Sequence, residues 1–183
     1  EPKHSIIKKL IQFSVISSLI NSMLGVNLMS DLKVGDKAPD FSVVNDVNET
    51  VNLKDLAGQK VILYFYPKDN TPGCSIEAQQ FNEAYKKLQD AGYVVLGVSR
   101  DTVKRHVNFK EKYDLQFNLL ADTDEAFCNA YGVMKEKKLY GKTSIGIERS
   151  TFVIDEKGVL THIYRGVKAK EHVGQLLADL NIQ

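Results

Sequence analysis

Six apolar residues in a row, 61–66, are closed by Pro67. Their β-branched and aromatic types, over a length too short for a helix, predict a buried central strand. A second unbroken run, residues 94–98, predicts another strand. Between them the period changes. Ile76, Phe81, Ala84, Tyr85 and Leu88 recur near every 3.6 residues, which predicts a helix after Gly73 that stops at Ala91-Gly92. Upstream, residues 41–44 and 50–53 read as short strands around a turn at 45–48. Downstream, Asp101 or Thr102 caps a helix carrying Val103, Val107 and residues 109–113. Leu119-Leu120 reads as a short strand. Asp122 or Thr123 starts a further helix through Phe127, Ala130 and Tyr131, which stops at Gly132. Residues 135–142 read as a basic, solvated loop. Residues 151–154 and 160–164 flank a hairpin turn at 155–158, and 170–180 predict a final amphipathic helix. This alternation predicts an α/β protein with a mixed central sheet flanked by helices.

At 183 residues, the chain has room for one domain plus an extension. Basic and acidic residues nearly cancel, 24 against 23, so nothing calls for nucleic acid or an anionic surface; a neutral or small partner fits better. Residues 1–28 stand apart. Lys3, Lys8 and Lys9 precede an apolar stretch, 10–28, broken by Gln12, Asn21 and Asn27. A targeting segment, an amphipathic surface helix and an artefact of upstream translation all fit this pattern. Leu28-Met29-Ser30 is a poor cleavage site, and the polar breaks argue against a membrane span. The domain is therefore drawn at 29–183, with 1–28 as an extension. A cytoplasmic location is expected; export or an organelle is the alternative if the extension is a targeting segment.

Two cysteines, Cys74 and Cys128, do not make a disulfide scaffold. A lone cysteine is most simply a small buried apolar residue, and Cys128 is read that way. Cys74 is different because of where it falls. It lies beyond the carboxyl end of the predicted central strand, where α/β sheets gather their chemistry, in the first turn of the following helix. Unpaired amides and the helix macrodipole there favour a thiolate, the nucleophilic form of the side chain. Pro67 and Pro72 stiffen the connection, Gly73 permits close backbone approach, and Thr71 offers a hydroxyl three residues before the sulfur, or an N-cap. The four histidines, His4, His106, His162 and His172, have no metal-ligand spacing and read as surface or half-buried residues.

The string Pro67-x-x-x-Thr71-x-x-Cys74 resembles the active-site motif of the peroxiredoxins. Residues 65–74 with Glu77-Ala78 are similar to the subgroup called PrxQ or bacterioferritin comigratory protein, in the AhpC/TSA family. Further support lies in residues 34–41, 97–101, 131–133, 140–143 and 148–152, so the resemblance covers about Lys33 to Gln183. It implies a thioredoxin-like fold and an antioxidant, thiol-dependent peroxidase acting on hydrogen peroxide and organic hydroperoxides. It implies no cofactor and no metal. Arg149 matches the arginine beside the family's nucleophile, and Glu77 a position that orients it. Without the resemblance, Arg149 would read as a surface arginine and Glu77 as a helix-surface glutamate. Thr71, Arg149 and the Cys74 amide would hold peroxide, Pro67 would shield the thiolate, and Cys74 would become a sulfenic acid. Many relatives carry a resolving cysteine five residues after the nucleophile, where this chain has Gln79, or on the next helix, where residues 102–113 have none. A one-Cys cycle is therefore expected, reduced by thioredoxin, glutaredoxin or a small thiol, with Cys128 as the minority candidate for an internal resolver. A monomer or weak dimer is expected.

Overall fold

The computed structural model describes residues 31–183. The extension drawn at 1–28 lies outside the described residues. In chain order, β1 (Ser42–Asn45) and β2 (Thr50–Asn52) form a hairpin, followed by a short 3₁₀ turn (Leu53–Leu56). Then come β3 (Lys60–Phe65), α1 (Pro72–Asp90), β4 (Tyr93–Ser99), α2 (Val103–Tyr113) and β5 (Asn118–Ala121). The remainder is α3 (Ala126–Ala130), β6 (Met134–Leu139), β7 (Lys142–Ile147), β8 (Ser150–Ile154), β9 (Leu160–Arg165) and α4 (His172–Asp179).

Seven strands make one sheet in the order β2-β1-β5-β4-β3-β8-β9. The β3–β4 and β4–β5 pairs are parallel, and the other neighbours are antiparallel. This is the mixed sheet that the sequence predicts, on a thioredoxin-like fold. Residues 61–65 are all buried because both faces of β3 are covered, which is why the run shows no polar alternation. Successive side chains still point to opposite faces. Ile62, Tyr64 and Tyr66 join the core under α1, α2 and α4, whereas Val61, Leu63 and Phe65 join the core containing Phe41 and the α3 residues Phe127 and Cys128.

Helix α1 holds to the sheet through Ala78, Phe81, Ala84 and Leu88, all on one stripe. The Phe81 ring stacks on Tyr64 with centroids 4.4 Å apart. Full burial of such a side chain is worth about 1.5–3 kcal/mol, so the stripe fixes the helix whose first turn carries Cys74.

Two expectations need correction. Residues 135–142 are not a loop. They form most of a β-hairpin, β6 paired with β7, turned by Tyr140-Gly141. Both turn residues have positive φ, 51° and 73°, the signature of a two-residue type I′ turn. Nearly every hairpin side chain is exposed, so the usual alternation of apolar and polar residues is missing from the sequence. The helix expected from Asp122 or Thr123 starts only at Ala126. Asp122 nevertheless serves its start, because its carboxylate accepts from the Phe127 and Cys128 amides at 3.1 and 2.7 Å. Among the described residues, no helix is long and apolar enough to cross a membrane.

Candidate active site

Thr71 takes the N-cap position of α1 in an extended conformation, and Pro72 follows as the first helical residue, where its missing N–H costs nothing. The first helical hydrogen bond runs from the Ser75 amide to the Thr71 carbonyl, 2.9 Å. The Gly73 and Cys74 amides precede it, at the positive end of a 19-residue helix. Cys74 is only 1% exposed.

Arg149 reaches this helix start through strand pairing. Phe65 at the end of β3 is registered with Ser150 at the start of β8, so the residue before Ser150 lies beside the loop that leads to Cys74. The guanidinium Nη2 is 3.5 Å from Cys74 Sγ, and Nη1 donates to Glu77 Oε1 at 2.9 Å. Glu77 lies three residues after Cys74, one turn along the same helix face. Gly73 makes room for this arrangement: a Cβ there would stand 3.1 Å from Arg149 Nη2. Both side chains lie inside, with Glu77 fully buried and Arg149 about 15% exposed, so neither is the surface residue that spacing alone suggests.

Burial pushes the Glu77 carboxyl up to about 7, and the Arg149 charge and hydrogen bond pull in the opposite direction. Glu77 Oε2 has no hydrogen-bond partner, which fits a carboxyl that resists ionisation. For Arg149, burial acts to lower its value, but Glu77 and Cys74 outweigh it and leave the guanidinium above its ordinary range. The Thr71 hydroxyl makes no capping bond; it donates to the Lys68 carbonyl at 2.8 Å. Its oxygen keeps lone pairs with which it can still accept a hydrogen bond. Pro67 is half-buried and Gln79 is exposed.

The structure thus brings Cys74, Glu77 and Arg149 together, sets Thr71 at the N-cap of the same helix start, and leaves Cys128 apart. Cys128 belongs to the core on the other face of the sheet from Cys74. Burial first, and then its hydrogen bond to Asp122, push its thiol far above the ordinary value. A cavity of about 400 Å³ lined by Lys37, Lys54, Val61, Ile154 and Lys157 lies at the opposite end of β3 and takes no part.

The histidine reading also needs correction. His162 is half-buried, as expected, but His106 and His172 are buried. His106 follows Val103 and precedes Phe109 by three residues each, so it shares the inward stripe of α2, a signal that was present in the sequence. His172 Nε2 lies 2.7 Å from the Thr151 hydroxyl. Burial first, and the Arg149 charge second, lower His172 to about 4, so its imidazole is neutral near pH 7. His4 lies outside the described residues.

A buried sulfur at a helix start, beside an arginine that a buried carboxyl holds, is the arrangement of a thiol-chemistry site on a thioredoxin-like fold. The model of the AhpC/TSA family matches residues 34–163. The Bcp protein of Coxiella burnetii is 50% identical over 149 residues, covering 81% of this chain and 99% of that protein. Peroxiredoxin Bcp of Bacillus subtilis is 45% identical over 149 residues, covering 81% and 95%. Among solved structures, the bacterioferritin comigratory protein of Xanthomonas campestris, studied for its alkyl peroxide reduction activity, is 42% identical with a TM-score of 0.74, covering 77% of this chain and 90% of its own. The chain belongs to the AhpC/TSA family, as a peroxiredoxin of the PrxQ or Bcp subgroup, and is a thiol-dependent peroxidase.

Proposed function

We propose that Cys74 is the peroxide-reacting thiol and that the enzyme works by a one-Cys cycle on hydrogen peroxide and organic hydroperoxides. The observation that carries this reading is the Arg149 guanidinium, shared between Cys74 Sγ at 3.5 Å and Glu77 Oε1 at 2.9 Å. Peroxide sits over the start of α1, held by the Thr71 hydroxyl, the Cys74 amide and Arg149 in line with the sulfur. The thiolate attacks one peroxide oxygen. An S–O bond forms, the O–O bond breaks, and the departing oxygen leaves with a proton as water or alcohol. Arg149 stabilises the charge on that oxygen as the bond breaks. Pro67 shields the sulfur from bulk water. The alkyl peroxide reduction of the Xanthomonas campestris relative supports organic hydroperoxides as substrates.

The sulfenic acid then condenses with an external thiol, releasing water and leaving a mixed disulfide; a second thiol restores Cys74 and departs as disulfide. Thioredoxin, glutaredoxin and small thiols are the donor classes this reading uses. The position of Cys128 supports external resolution. Bridging needs Cα atoms within about 7 Å, and the sheet separates the two cysteine-bearing cores. One equivalent of peroxide is expected to add one oxygen to the intact mass, and Cys128→Ser to turn over normally with dithiothreitol. A loss of two hydrogens, with a Cys74–Cys128 peptide after digestion, would move Cys128 into the cycle.

The domain is proposed to run over residues 29–183, in the cytoplasm, as a monomer or weak dimer. The family match beginning at residue 34 supports that boundary. Deleting residues 1–28 is expected to leave the peroxide rate within twofold and Tm within a few degrees. A large fall in Tm on deletion would show that residues 1–28 pack on the domain.

A further inference from the structure

The loop between β3 and α1 is tied down on the side away from Arg149 by a buried network. Asp69, in the middle of the Pro67–Cys74 string, is held at both its backbone and its side chain. Its amide donates to Asp101 Oδ2 at 2.8 Å. Its Oδ1 accepts from the Tyr66 hydroxyl at 2.5 Å, and its Oδ2 lies 2.7 Å from His106 Nδ1. The other imidazole nitrogen, Nε2, lies 2.9 Å from the Leu120 carbonyl. A carbonyl only accepts, so Nε2 carries hydrogen and the ring is fixed between helix α2 and strand β5. Asp101 is held in turn by the Ser99 hydroxyl at 2.6 Å and by Arg105 at 3.3 Å. Asp69, Asp101 and His106 are all buried, where a satisfied polar network is stiff and specific. The residue after Asp69, Asn70, has φ of 60°, so the loop takes a conformation that must be held. Directly after Asn70 stands Thr71 with its hydroxyl turned back to Lys68.

We infer that Asp69 and His106 form a latch that positions the Thr71–Cys74 segment for the peroxide step. The inference rests on Cys74 being the peroxide-reacting sulfur. The two half-reactions need different things from this loop. Peroxide is small and must find Thr71, the Cys74 amide and Arg149 already in place. The later reduction by a donor thiol acts on a sulfur already oxidised and does not use that peroxide pocket. A latch attached inside the string, but touching neither peroxide nor sulfur, acts on the peroxide step through placement alone. Asp69 and His106 are therefore positioning residues.

The test separates the half-reactions in the full chain. Asp69→Asn, His106→Gln and the double variant are prepared reduced. Formation of Cys74 sulfenic acid from hydrogen peroxide is followed by quenched-flow mass analysis, and its reduction by dithiothreitol is timed separately. Each single variant is expected to slow the peroxide step about tenfold to a hundredfold. The double variant is expected to be no slower than the worse single one, because the pair acts as a unit. Reduction by dithiothreitol is expected to be as fast as in wild type or faster. Leu160→Ala, in the core on the other face of the sheet, supplies a control for general destabilisation and is expected to keep the peroxide rate within twofold. Ser99→Ala loosens Asp101 more gently and is expected to slow the peroxide step a few-fold, which keeps the test open if the charged variants do not fold. Equal slowing of both half-reactions would overturn the latch, as would a peroxide rate that follows Tm alike in latch and Leu160→Ala variants. Wild-type protein that forms no sulfenic acid at Cys74 would sink the underlying reading instead.

Discussion

Cys74→Ser is expected to lower peroxide consumption to the buffer background while leaving the folded protein intact. The exchange replaces one sulfur by one oxygen at a site that is 1% exposed, so the volume change is small. A serine hydroxyl stays protonated near neutral pH and needs a general base to attack. The side chain in contact with the sulfur offers none in its place. The guanidinium 3.5 Å from the sulfur is cationic and can only donate, and Glu77 has one oxygen committed to Arg149 at 2.9 Å. The helix start that favours a negative sulfur therefore has no negative oxygen to favour. The measurement is hydrogen peroxide loss with dithiothreitol as donor, beside the circular dichroism spectrum and Tm. Near wild-type turnover in Cys74→Ser would falsify the assignment. Loss of turnover together with loss of the folded spectrum would call for Cys74→Ala, whose side chain asks for no hydrogen bond.

The fold was legible wherever burial set the sequence pattern. The run at 61–66 and the stripe of Phe81, Ala84 and Leu88 on α1 are readable because side chains on those surfaces must leave water. The hairpin at Met134–Leu139 and Lys142–Ile147 was not readable, because most of its side chains face solvent and no alternation records the strands. The turn adds to the difficulty, since Tyr140 takes a positive φ usually left to glycine, asparagine or aspartate. The candidate site divides in the same way. The position of Cys74 was legible from local order: a strand, a stiff loop, then a helix start. Glu77 and Arg149 are 72 residues apart, and their ion pair depends on the registry of Phe65 with Ser150, which no local pattern states. Asp69 and His106 are separated by 37 residues and met the same obstacle. Helical spacing, had it been applied to His106, would have marked it as inward-facing, but only the packing of α2 against the loop supplies its partner.

Arg149→Ala is expected to slow the peroxide step by about 10²–10³-fold, the usual loss when one positioned donor is removed from a developing oxyanion, or about 2.7–4 kcal/mol. Two effects combine. In the proposed mechanism the guanidinium faces the sulfur before attack and the oxygen that departs as the O–O bond breaks. Its fork serves Cys74 with one nitrogen and Glu77 with the other, so its direction is set by Glu77. Arg149→Lys keeps the charge, but a single ammonium cannot span both acceptors in this geometry, and only part of the rate should return. Glu77→Gln keeps the shape and one acceptor oxygen while removing the charge that orients the fork; its loss is expected to be smaller than that of Arg149→Ala. The stability cost of Arg149→Ala should be modest. Burial already pushes Glu77 up to about 7, and Arg149 is what pulls it back. Without Arg149 the carboxyl keeps its proton at neutral pH, so no unpaired charge is left in the core. Folding in that variant should therefore weaken as pH rises: the unfolded chain releases the Glu77 proton near its ordinary value, while the folded one holds it. The measurements are the second-order rate with hydrogen peroxide, the rate of Cys74 alkylation at neutral pH, and Tm between pH 5 and 8. Arg149→Ala with both rates at wild-type values would remove Arg149 from the site and leave its contact with Cys74 as packing.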